Sequence, residues 1–178
     1  TELGPGWANA VSNDGRVVVG FQSGTGRIWT EEGSEELTPP WGQYESWATA
    51  LNEDGSIIFG GAFGPTTLGV GSATYRWENG SFTPYTLETF TLASRTSDDG
   101  SVFGGSTGEY VEGPFRPVIW TNNGTTLIEN LPGSLVDVSR NGELVLLNTP
   151  EEGFLYELAT GDQTPVGFRA NGMNGDGS

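Results

Sequence analysis

The stretch Ser12-Asn13-Asp14-Gly15 is written again as Asn52-Glu53-Asp54-Gly55, Ser97-Asp98-Asp99-Gly100, Ser139-Arg140-Asn141-Gly142 and Asn174-Gly175-Asp176-Gly177. Its glycines stand at 15, 55, 100, 142 and 177, so the turns are 40, 45, 42 and 35 residues apart. Self-similarity at that period marks a repeat array, and the length suits a four-stranded blade.

Before each turn lies a first strand: Trp7 to Val11, Trp47 to Leu51, Leu92 to Thr96, Ser134 to Val138 and Arg169 to Met173. Ala8, Ala48, Ala93 and Ala170 share one register, as small residues do where strands crowd and side chains alternate. A second strand follows each of the first four turns, over Val17–Phe21, Ile57–Gly61, Val102–Ser106 and Leu144–Asn148, and Gly20, Gly60 and Gly104 read as matching positions of close backbone approach. The third strand carries an aromatic landmark in Arg27-Ile28-Trp29-Thr30, Tyr75-Arg76-Trp77-Glu78 and Val118-Ile119-Trp120-Thr121, reduced to Phe154-Leu155-Tyr156-Glu157 in the fourth repeat. Hairpins at Gly33, Gly80, Gly124 and Gly161 lead to a fourth strand. Four antiparallel strands in chain order make a propeller blade.

Composition agrees with this all-β reading. The chain has 178 residues with 29 Gly, 10 Pro and a single Met, so short strands alternate with turns and no helical periodicity is sustained. It is expected to be a β-propeller or propeller-like array with four complete repeats, about 7–45, 46–91, 92–133 and 134–167. Partial units at 1–6 and 168–178 belong to the same repeat domain, 1–178. The first resembles the fourth strand of a preceding unit and the second the first strand and turn of a following one. Five-blade closure would leave the fifth blade without its second and third strands; that leaves a segment of a longer array or a four-bladed assembly with redundant ends, and the segment is preferred because Asn174-Gly175-Asp176-Gly177-Ser178 stops in mid-hairpin.

The formal net charge is -16, with seven Arg, no Lys and no His. Such a surface repels phosphate, which argues against a nucleic-acid partner. No run of apolar residues is long enough for a membrane span, and the absence of Cys suits either the cytoplasm or bacterial export.

Asp14, Asp54, Asp99 and Asp176 invite a calcium reading, because carboxylates on a glycine-sharpened loop are hard oxygen donors. Each turn offers too few side-chain oxygens, and the fourth has Arg140-Asn141, so the turns read as scaffold and no cofactor is expected. The repeated Trp residues likewise read first as packing between neighbouring blades, because a blade cannot bury its faces alone.

The run from Ala8 to Gly20, followed by Arg27-Ile28-Trp29-Thr30 and a glycine turn, resembles the HAF-type bacterial extracellular repeats. The likeness spans nearly the whole chain, is strongest in the first unit and weakest in the fourth, where the closing glycine and the Trp are missing. It implies export, an extracellular or cell-surface setting and a propeller-like array. It implies no reaction.

Function is therefore sought in the connections. Those between strands one and two and between three and four are nearly constant in length. The others vary: 22–26, 62–74, 107–117 and 148–153 between strands two and three, with 39–46 and 85–91 between blades. They carry Trp41, Tyr44, Phe63, Tyr110 and Phe115 beside acids that include Glu109 and Glu112. Variation on one face of an array is where binding is usually placed. The expectation is a noncatalytic surface protein whose aromatic and acidic face contacts glycans or a surface protein. The competing reading is a secreted glycoside hydrolase using two of these carboxylates as acid and base. Self-assembly through the incomplete terminal blades is a third.

Overall fold

The computed structural model describes residues 6–40, 44–66, 69–85, 90–108, 115–121, 123–128, 132–174 and 177. The chain divides into two compact units, 1–93 and 94–178. All regular structure among the described residues is β, in four antiparallel sheets of four strands, each ordered one-two-three-four in space as in sequence.

In the first unit, one sheet is β1 (Trp7–Val11), β2 (Val18–Gln22), β3 (Thr25–Thr30) and β4 (Gly33–Leu37), and the other is β5 (Glu45–Leu51), β6 (Ile57–Thr66), β7 (Gly69–Glu78) and β8 (Ser81–Tyr85). The second unit holds β10 (Val102–Gly108), β11 (Arg116–Thr121) and β12 (Gly124–Leu127), completed by β9 (Phe90–Thr96), which spans the division between the units. Its other sheet is β13 (Ser134–Val138), β14 (Leu144–Asn148), β15 (Gly153–Glu157) and β16 (Gln163–Pro165). The expected all-β array of four-stranded repeats is what forms.

The repeated turn holds itself closed by local hydrogen bonds. In the first, the Gly15 N–H donates to the Ser12 carbonyl at 2.9 Å, the Ser12 hydroxyl donates to Asp14 Oδ1 at 2.8 Å, and the Arg16 N–H donates to the same oxygen at 3.0 Å. The third repeats this with Ser97, Asp99 and Ser101. In the fourth, Asn141 Oδ1 takes the place of the carboxylate, receiving the Ser139 hydroxyl at 2.8 Å and the Glu143 N–H at 3.1 Å. One acceptor oxygen at that position is the requirement, which is why Asp and Asn interchange there.

These turns also join sheets. Within the first unit the Asn13 N–H donates to the Glu53 carbonyl at 2.8 Å, and within the second the Asp98 N–H donates to that of Arg140 at 2.9 Å. Beside them lie the cores. In the first unit Val19, Ile28 and Leu37 pack on Ala48, Leu51, Ile58 and Tyr75, and in the second Ile119 and Ile128 pack on Leu135, Val138, Val145 and Leu147. Trp29 and Trp120 are buried and Trp77 packs against the first core.

Each complete first strand paired in register with its second carries one extra residue, between Ala8 and Ala10, between Ala48 and Ala50, and between Leu135 and Asp137. The bulge turns the side chain of that residue away from the ladder.

Four readings change. The expected loop 62–74 is mostly paired strand: the ladder runs from Phe63↔Ser72 out to Thr66↔Gly69. The 22–26 connection shrinks to a two-residue hairpin, Ser23-Gly24, with φ of 52° and 87°, the twist-matched form for adjacent strands. Gly104 is displaced by one place: it pairs with Ile119 as Val19 pairs with Ile28, so the true counterpart of Gly20 is Gly105. Residues 169–173, expected to be a first strand, form no strand. The proposed fourth-strand segment at 1–5 lies outside the described residues.

Candidate functional site: an aromatic end of the first unit

Strand one begins and strand two ends at the same end of each sheet, opposite the repeated turn. In the first unit that end gathers two aromatic pairs. The Tyr44 N–H donates to the Phe63 carbonyl at 3.1 Å, extending the β5–β6 ladder by one bond past Glu45↔Phe63. This places the Tyr44 ring 6.1 Å from that of Phe63, tilted by 51°, and leaves Tyr44 58% exposed. Phe63 is half-buried and Glu45, beside them, is exposed.

The second pair is Trp7 and Phe21, cross-strand partners in β1 and β2, whose rings stack at 5.7 Å with 13° between their planes. The equivalent partners in the next sheet are Trp47 and Gly61. There the indole lies directly on the strand: a Cβ on Gly61 would stand 2.6 Å from Trp47 Nε1. Phe21 fills that space in the first sheet, so Trp7 rests on a ring instead of a backbone and is 71% exposed. Here the expectation that the repeated tryptophans are interblade packing fails for Trp7.

Ser46 fixes the relative placement of the two sheets at this end. Buried at 2% exposure, it donates its hydroxyl to the Leu37 carbonyl at 2.6 Å, accepts the Gly26 N–H at 2.9 Å, and donates its own N–H to the Gly24 carbonyl at 3.1 Å. Both aromatic pairs therefore flank the Ser23-Gly24 hairpin tip. The resulting surface offers flat apolar faces with a carboxylate alongside, suited to stacking against sugar C–H faces or apolar side chains.

Of the sequence candidates, Tyr44 and Phe63 come together. Phe115 is 55% exposed at the corresponding end of its own unit, where its carbonyl accepts the Gly133 N–H at 2.8 Å. Trp41, Glu109, Tyr110 and Glu112 lie outside the described residues. Trp7 and Phe21 were not among the candidates. The signal for them is Phe21 itself, a bulky ring in a register that elsewhere reads Gly61, Ser106 and Asn148.

Asp14, Asp54 and Asp99 are held below the ordinary carboxylate range, Asp14 first by the Arg16 N–H, Asp54 by the Ser56 hydroxyl and Asp99 by the Ser101 N–H. Burial pushes the Tyr75 phenol upward, and its hydroxyl donates to the Trp47 carbonyl at 3.1 Å. Among the described residues no group of three or more acidic side chains is arranged to hold a metal ion, and no helix is long and apolar enough to cross a membrane.

Known structures share the architecture. A TolB-like protein from Agrobacterium tumefaciens superposes with a TM-score of 0.63 at 15% identity, over 91% of this chain and 62% of that one. TolB from Acinetobacter baumannii gives 0.54 at 19% identity, over 87% and 40%, and the tricorn protease 0.53 at 10% identity, over 93% and 26%. The chain thus spans less than two thirds of the length of each of these structures. No family model and no curated protein sequence matches it. At these identities the likeness establishes the propeller-like fold.

Proposed function

We propose that this chain is a noncatalytic propeller-repeat module of the bacterial cell exterior that binds a glycan through the aromatic end of its sheets. The observation that carries the reading is the Tyr44–Phe63 pair, with Tyr44 presented to solvent at 58% exposure while its backbone is pinned to β6. A ring held in place by its own main chain loses little freedom on binding, which favours flat ligands of modest size. Trp7 on Phe21 supplies a second such surface beside the same hairpin tip.

Charge narrows the ligand. With a formal net charge of -16 the protein repels anionic polymers, so the best-fitting class is a neutral glycan. The extracellular setting is supported by the likeness of Ala8–Gly20 and Arg27–Thr30 to exported repeats.

Binding of neutral polysaccharides by affinity electrophoresis, compared between wild type and Tyr44→Ala, tests the proposal. Retardation that falls at least several-fold in the variant, with an unchanged circular dichroism spectrum, is the expected result. Equal retardation of the two proteins, or none of the wild type across a broad panel, would overturn it.

A further inference from the structure

Two hairpins and one repeated turn carry an Asn–Gly pair, and the fold holds the three differently. Asn79-Gly80 joins β7 to β8, Asn123-Gly124 leads into β12, and Asn141-Gly142 lies in the turn before β14. Two further pairs, at 171–172 and 174–175, lie outside the sheets. Asparagine is among the thermolabile residues, and before a glycine it is labile where three conditions meet. Its carboxamide must be free to turn, the glycine N–H must be uncommitted, and nothing must crowd the approach of one to the other.

At Asn141 all three fail. Its Oδ1 accepts the Ser139 hydroxyl at 2.8 Å and the Glu143 N–H at 3.1 Å, its Nδ2 donates to Glu143 Oε2 at 2.7 Å, and the Gly142 N–H donates to the Ser139 carbonyl at 2.9 Å. Gly142 is buried, and a Cβ on it would stand 2.9 Å from Val102 Cγ2. At Asn123 the second condition fails. Gly124 is already a ladder residue, the partner of Thr121 that closes the β11–β12 hairpin, and a closing pair exchanges its main-chain hydrogen bonds.

At Asn79 the three conditions are met. The β7–β8 ladder closes at Glu78↔Ser81, so both residues of the pair belong to the tip, with φ of 50° and 77°. In that two-residue form the flanking residues bond each other, and the N–H of the second tip residue is left to solvent. Among the described residues neither the Asn79 carboxamide nor the Gly80 N–H has a hydrogen-bond partner. Both residues are exposed, and a Cβ on Gly80 would meet nothing within 4 Å.

We infer that Asn79 is a modification site, at which the folded chain converts to aspartate and isoaspartate with water as the co-reactant. The Gly80 nitrogen gives up its proton to solvent and bonds Asn79 Cγ. The Cγ–Nδ2 bond breaks, and Nδ2 takes up a proton and leaves as ammonia. Water then opens the resulting five-membered imide at either carbonyl carbon. Opening at Cγ gives an aspartyl side chain; opening at the main-chain carbonyl carbon gives isoaspartate, with the chain running through Cβ and Cγ. Either product sets a new carboxylate beside Glu78, which pairs with Arg76. Isoaspartate also lengthens a tip whose two-residue span fixes the β7–β8 register. The site is independent of the glycan reading, since the tips between strands three and four lie at the end of the sheet opposite the aromatic pairs.

Peptide mapping of the full chain tests this. The protein is aged in mildly alkaline buffer, with and without urea, and cleaved after arginine beside an unaged control; the fragment 77–95 holds Asn79 as its single asparagine. In the folded chain Asn79 is expected to convert at least several-fold faster than Asn123 and Asn141, giving two acidic products that co-elute with synthetic aspartyl and isoaspartyl peptides. In urea, where the hydrogen bonds of the turn and the ladder are gone, the three rates are expected to converge. Conversion of Asn79 no faster than that of the other two in the folded chain overturns the inference. So does a lead that persists undiminished in urea, which would trace to the neighbouring residues instead of to the hairpin.

Discussion

The side-chain amide of Asn9 donates to the carbonyl oxygen of Ala48 at 2.7 Å, crossing from the bulge in one first strand to the backbone of the next. One repeat on, the Thr49 hydroxyl donates from the equivalent bulge to the carbonyl of Ala93. Two different side chains thus perform one task at one register: the extra residue frees a side chain from the ladder, and that side chain latches onto the carbonyl of a buried alanine.

Removing the latch leaves a carbonyl on a fully buried residue without its partner. Asn9→Ala is therefore expected to cost about 1–3 kcal/mol in denaturant unfolding. Asn9→Thr, which copies the next repeat, should recover part of the loss. Equal unfolding midpoints for wild type and Asn9→Ala would show that water satisfies Ala48 at no cost.

The turn carboxyls set a pH dependence whose direction is fixed. Asp14, Asp54 and Asp99 sit below the ordinary value of 3.8 in the folded chain, so each binds its proton less readily folded than unfolded. Their contribution is present above that value and is lost as pH falls through the lower folded values. The first three turns are expected to loosen in acid while the fourth, built on Asn141, holds. Amide exchange of Gly15, Gly55, Gly100 and Gly142, followed as pH falls, distinguishes them, and simultaneous loss at Gly142 would contradict the assignment. On the same logic Asp99→Asn should be nearly neutral at pH 7, whereas Asp99→Ala should lose about 1 kcal/mol.

Much of this architecture is legible before any coordinates, because a turn that must place one acceptor oxygen and one left-handed glycine constrains its own residues. Asn141 for Asp is the informative exception: chemistry of the acceptor, not charge, is what repeats. Sequence is less informative where the requirement is relational. The exposure of Trp7 follows from Phe21 occupying the space that Gly61 leaves for Trp47, and no property of Trp7 alone reveals it. Gly64, Pro65 and Gly71 likewise read as loop, yet pairing with a long partner strand draws them into a ladder. The one-place slip at Gly104 arises because two adjacent glycines leave the register to be fixed by Ile119 and Val118 across the sheet.

If Phe21 is what lifts Trp7 off the sheet, Phe21→Gly should let the indole settle onto β2 as Trp47 does onto Gly61. Fluorotryptophan NMR, with the Trp7 resonance assigned through Trp7→Phe, is expected to show reduced solvent accessibility of that one ring. Glycan binding should fall with it under the proposed function. An unchanged Trp7 environment would mean that something other than Phe21 holds the ring outward.

A paired substitution separates backbone strain from packing at the turns. Gly15 and Gly55 adopt nearly the same backbone, with φ of 73° and 75°, so replacing either by Ala carries the same left-handed penalty of about 1–2 kcal/mol. Their surroundings differ: the new methyl on Gly15 meets nothing, whereas on Gly55 it would stand 2.7 Å from Val17 Cβ and 2.8 Å from Val17 Cγ2. Overpacking of that kind costs about 1–3 kcal/mol more. Gly55→Ala is therefore expected to lower stability beyond Gly15→Ala by that margin in urea denaturation. Val17→Ala in the Gly55→Ala background should recover part of it by vacating the seat. Equal losses at the two glycines would show that Val17 gives way freely and that the turns are joined by their hydrogen bonds alone.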